Sequence, residues 1–86
     1  MMFNETELYK MYHTKPEILI FLDKIKNCND SEEEKVVHEV ANEIADEIIT
    51  HLETYYLEEG QAERYFDIVK YIAYDIIYKY NFEKKN

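Results

Sequence analysis

The stretch SEEEKVVHEVANEIADEIITHLETYYLEE, residues 31–59, decides the fold class and raises the functional question. Val37, Val40, Ala41, Ile44, Ile48, Leu52 and Tyr55 recur at three- and four-residue intervals. That spacing places apolar side chains on one face of a long α-helix. Ser31 and Glu34 have capping-box spacing, three glutamates lie in the first turn where the helix dipole favours anions, and Gly60 is a natural stop. The same segment holds ten acidic residues and a single base, Lys35, so its formal charge is −10 + 1 = −9. This equals the charge of the whole chain; the other nine acids and nine bases cancel.

Working outward, the flanking sequence adds three more helices. Asn4 and Glu7 mark the start of a short one over residues 4–13, with Leu8, Met11 and Tyr12 on one side. Thr14, Pro16 and Glu17 open a second over residues 15–27, whose stripe is Ile18, Phe21, Leu22 and Ile25 and which ends at the turn residues Cys28-Asn29-Asp30. After the long helix of residues 31–59, a fourth is expected over residues 61–81, leaving a frayed tail at 82–86. One glycine and one proline in 86 residues leave few turns. The expected fold is therefore all-α: one domain spanning residues 1–86, a small antiparallel bundle in which two short N-terminal helices pack on a long hairpin of the third and fourth. A hydrophobic content of 47% fits a folded chain rather than a disordered acidic tail.

On a helical wheel, the third helix segregates its charge. Opposite the apolar arc lie Glu32, Glu39, Glu43, Asp46 and Glu53, with Asn42 and Thr50 between them and Lys35 the only base on that side. Glu39–Glu43 and Glu43–Glu47 are like-charged pairs at i,i+4, each unfavourable by roughly 0.2–0.5 kcal/mol. A solvated face that keeps a small protein soluble accounts for this pattern, and so does a docking surface for a basic protein. Nine net charges over a rod of about 43 Å amount to roughly one per 5 Å, sparser than the one per 3.4 Å of a nucleic-acid strand. With its lysines scattered, the chain has no basic patch for binding nucleic acid directly.

The segment YFDIVKYIAYDIIYKYNF, residues 65–82, is the second unusual stretch. Its core face comprises Tyr65, Ile68, Val69, Ile72, Ala73, Ile76, Ile77 and Tyr80. Tyr71, Tyr74, Tyr78 and Phe82 fall together on the far side. Either the first two helices wrap round to cover them, or they form an interface: a symmetric homodimer, or a hot spot for a foreign protein. Asp67, Lys70, Asp75 and Lys79 offer charge pairs across such a twofold.

The residues of catalysis are sparse. A single glycine excludes a Gly-rich phosphate loop, and Cys28 has no histidine near it in sequence. Glu34–His38 and Glu47–His51 share helix faces at i,i+4, but neither has the Glu-x-x-His spacing of di-iron bundles, and His51 reads as a hydrogen-bonded core histidine. No catalytic residue, cofactor or metal is assigned. No apolar run is long enough to span a membrane, no segment has the form of a secretory signal, and a lone cysteine needs no oxidising compartment; a cytoplasmic location is expected, the host cytoplasm for a phage-encoded chain.

In size, charge and composition the chain resembles small acidic helical proteins such as phage-encoded inhibitors of host defence, nucleic-acid mimics and toxin-immunity proteins. The expectation is a non-enzymatic acidic binding module. It would act as a phage- or mobile-element-type inhibitor, docking Glu39, Glu43, Asp46 and Glu53 on a basic surface, including that of a nucleic-acid-binding protein or nuclease. The alternatives are a homodimeric structural or adaptor protein assembled through Tyr71, Tyr74, Tyr78 and Phe82, and a toxin-immunity-type protein.

Overall fold

A computed structural model describes the backbone of residues 3–85 and the side chains of residues 3–80. It contains α1 (Glu5–Tyr12), α2 (Pro16–Asn27), a short 3₁₀ turn (Asp30–Glu32), α3 (Glu33–Tyr55) and α4 (Ala62–Lys85), with no strand among the described residues. Helices α3 and α4 form the expected hairpin. On it, α2 packs mainly against α3 and α1 against α4. The result is a rod of 40 × 21 × 19 Å.

One aliphatic seam holds the hairpin together. Val40, Ile44, Ile48 and Leu52 of α3 and Val69, Ile72, Ile76 and Ile77 of α4 are all buried. Leu8 and Tyr12 of α1 and Ile18, Leu22 and Ile25 of α2 complete the same core from one side. Burying a side chain of this size stabilises by roughly 1.5–3 kcal/mol. No charged side chain is buried among the described residues.

Several helix ends depart from expectation, each for a local reason. At Asn4 the sequence signal is realised: its Oδ1 accepts the Glu7 backbone N–H at 2.8 Å. The capping boxes of the next two helices do not form. Lys15 stands at the start of α2 and Glu32 at that of α3, neither with a side-chain cap bond. Before α3 the 3₁₀ turn does the work instead, the Glu32 N–H donating to the Asn29 carbonyl at 2.9 Å. The predicted third helix of residues 31–59 is thus shortened at both ends.

Its C-terminal end shows why. Leu57 follows Glu39 by eighteen residues, five whole turns, so in a continuous helix it would point to water while Glu58 took the core phase of Val40. Unwinding after Tyr55 reverses this: Leu57 is buried and Glu58 is exposed. The N–H groups of Tyr56 and Leu57 both donate to the Leu52 carbonyl at 2.8 Å, closing the helix. Tyr55, expected in the apolar stripe, lies past the end of the core and is 69% exposed. The return to α4 turns on Gly60, whose φ of +87° suits a residue without a Cβ. Gln61 braces the loop, its Oε1 accepting the Glu58 N–H at 2.8 Å.

Beyond residue 81, where a frayed tail was expected, α4 continues to Lys85. Nothing after Ile77 breaks a helix, and the last residues, Glu83, Lys84 and Lys85, favour one. The lysines also suit the negative end of the dipole.

Truncating the seam and straining the turn should differ in size. Ile48→Ala should lower stability by about 2–5 kcal/mol. Gly60→Ala has open space for its new methyl and should cost only the left-handed backbone, about 1–2 kcal/mol. Urea melts followed by circular dichroism measure both; a Gly60→Ala loss equal to that of Ile48→Ala would show that the loop packs as tightly as the core.

Candidate partner-binding surface

The structure divides the four acidic residues of the expected docking strip. Glu43 is half-buried and bonded to the Lys24 Nζ of α2 at 2.6 Å. Its neighbour Glu47 meets Lys15 Nζ at 3.6 Å. These two carboxylates therefore serve the α2–α3 contact, with lysines that are distant in sequence. Glu39, Asp46 and Glu53 remain exposed, and no ion pair among the described residues reaches them. They recur every seventh residue, about 10.5 Å apart along α3, with exposed Asn42 and Thr50 between.

The tyrosine stripe of α4 divides likewise. Tyr71 is 59% and Tyr78 62% exposed. Tyr74 is half-buried, its hydroxyl 2.6 Å from His38 Nδ1 on α3 and its ring stacked on Tyr78 at a centroid distance of 6.1 Å. The Phe82 side chain lies outside the described residues. Lys79, expected to be free for a symmetric contact, is engaged within the chain: its Nζ lies 3.1 Å from Asp75 and 4.0 Å from the centre of the Tyr9 ring.

The His38–Tyr74 contact brings the aromatic stripe of α4 against α3, where exposed Asn42, one turn on from His38, leads round to the acidic row. Sequence reasoning treated them as two separate surfaces. It also passed over Phe66, 48% exposed, which lines an open groove with Ile49, Glu53, Ala62 and Glu63 at the looped end of the hairpin. The helical phase of Phe66 was readable; its meeting with Ile49 required the hairpin register.

On the other side of α3, His51 has the partner expected of a core histidine. Its Nδ1 lies 2.7 Å from the Tyr12 hydroxyl. Burial, with smaller contributions from Tyr56 and Glu47, pushes the Tyr12 pKa up to about 12. The phenol therefore stays protonated, and the contact forms with either imidazole tautomer: the hydroxyl donates to a bare Nδ1 or accepts from Nδ1–H. Burial, and then Lys15, lower the His51 pKa below its ordinary value against the opposing pull of Glu47 and Glu17. The pair is a tether between α1 and α3.

Cys28 is also engaged locally, its thiol 3.2 Å from the Ile25 carbonyl. Among the described residues no group of three or more His, Cys, Asp or Glu side chains could hold a metal ion, and no helix is long and apolar enough to cross a membrane. Comparison with protein-family models, curated proteins and solved structures found no match to this chain.

The lowered His51 pKa has a definite sign. The unfolded chain takes up the proton near pH 6.5 while the folded chain resists it, so this contribution is complete above 6.5 and declines as pH falls towards the folded-state value. Thermal melts at pH 7.5 and 5.5 should show a larger acid-induced loss for the native protein than for His51→Gln. Equal losses would mean that His51 titrates no differently in the fold.

Proposed function

We propose that this protein is a non-enzymatic binding module that docks the outer face of its α3–α4 hairpin on a basic surface of another protein. The observation that supports this reading is the row of Glu39, Asp46 and Glu53, exposed and without counter-ions among the described residues, beside the exposed rings of Tyr71 and Tyr78. Aromatic residues supply contact area at low entropic cost, and an unbalanced charge row steers an oppositely charged partner. Glu43 is left out of the binding set, since Lys24 already holds it.

The spacing favours a protein partner over mimicry of a nucleic acid. Free carboxylates about 10.5 Å apart are some threefold sparser than the phosphates of a single strand. An inhibitor of this kind works by covering a basic surface rather than by copying its ligand. The exposed Tyr71 and Tyr78 also support a second reading, a homodimer through α4, although two chains of net charge −9 would then repel one another.

A partner captured from a cell lysate and eluted with salt should bind the Glu39→Gln/Asp46→Gln/Glu53→Gln variant about tenfold or more weakly, with a shallower salt dependence. Unchanged affinity and salt slope would refute the reading. Light scattering tests the homodimer: a dimer that Tyr78→Glu dissociates would assign this face to self-association.

A further inference from the structure

The groove at the looped end of the hairpin has a chemistry that the acidic row alone does not explain. It is open, about 370 Å³ in volume, and joins an apolar floor to two charged walls. Ile49 of α3 and Ala62 of α4 are half-buried against the core. Phe66 presents about half of its surface. Glu53 rises from the α3 side and Glu63 from the α4 side; both are exposed, and no ion pair among the described residues engages either. Lys70 follows Phe66 by one turn on the same side of α4.

Resting on the docking reading above, we infer that this groove receives the apolar anchor of a basic amphipathic helix from another protein, with Lys or Arg residues beside the anchor reaching Glu53 and Glu63. Three observations select this occupant. An apolar floor between two carboxylates without an ion pair among the described residues complements an aliphatic side chain flanked by cations. Glu53 is also the last member of the Glu39–Asp46–Glu53 row, and a helix laid along α3 presents its own side chains at that same interval of about 10.5 Å every seven residues. Finally, the polarity of the site excludes competing partners. A nucleic-acid strand offers no aliphatic anchor, and its phosphates, like anionic lipid headgroups, would be repelled by the two glutamates. A second copy of this chain would bring its own acidic α3 into the contact.

The probe is an alanine-based helical peptide with lysine at every seventh position and leucine three residues after each lysine. Its control is a scrambled peptide of the same composition. Fluorescence anisotropy with the full chain should show the patterned peptide binding about tenfold or more tightly than the scrambled one. Phe66→Ala, an exposed position whose fold is checked by circular dichroism, should abolish that preference. Glu53→Gln/Glu63→Gln should weaken the patterned peptide and flatten its salt dependence.

Equal binding of the two peptides would overturn the groove as the anchor site. If that equal binding were still weakened by the Glu39→Gln/Asp46→Gln/Glu53→Gln variant, docking by charge would stand without it. No binding of either peptide, together with a dimer that Phe66→Ala dissociates, would overturn both and give the groove to a second copy.

Discussion

The aliphatic seam between α3 and α4 is the constraint on which everything else rests. Val40, Ile44, Ile48 and Leu52 must face Val69, Ile72, Ile76 and Ile77, and this fixes the rotation of both helices. With rotation fixed, every other position on the hairpin is assigned either to the side that α1 and α2 cover or to the side that faces water. Those two helices have eight and twelve residues against twenty-three and twenty-four in the hairpin, enough to shield one flank. The outer flank, with its carboxylates and phenols, is bare for that reason.

The charge pattern follows from the same division. Where α3 meets α2, Glu43 and Glu47 have Lys24 and Lys15 as partners, and where it meets water Glu39, Asp46 and Glu53 have no ion pair among the described residues. Half-exposed ion pairs of this type contribute little stability each, at most about 1 kcal/mol. What they change is the location of the unbalanced charge. Along the body of α3 the carboxylates that lack an ion pair among the described residues form one line along its outer edge, while Glu32, Glu33, Glu34, Glu58 and Glu59 add charge at the two ends of the segment.

Helical periodicity along the chain was enough to read four helices, their order and nearly the whole core. Ile18, Leu22 and Ile25 on α2 and Val69, Ile72 and Ile76 on α4 all lie where their spacing places them. The ends were less legible. At Leu57 the local preference for helix competes with burial of one leucine, and only the tertiary core decides between them. Thr14 and Ser31 carry capping signals that the neighbouring turns make redundant. The site was legible as two stripes, since each belongs to one helix. Their union through His38 and Tyr74, and the withdrawal of Glu43 by Lys24, depend on contacts between segments 36 and 19 residues apart, which no local pattern encodes.

An interior without a buried charge among the described residues has a consequence for how such a chain can change. Since no ionised group is buried among the described residues, folding draws on shape and dryness, not on any particular charge. Positions 39, 42, 46, 50, 53, 71 and 78 can then be relettered with little penalty to the helices beneath them. A lineage of such chains could rewrite a single outward row while keeping its hidden residues as they are.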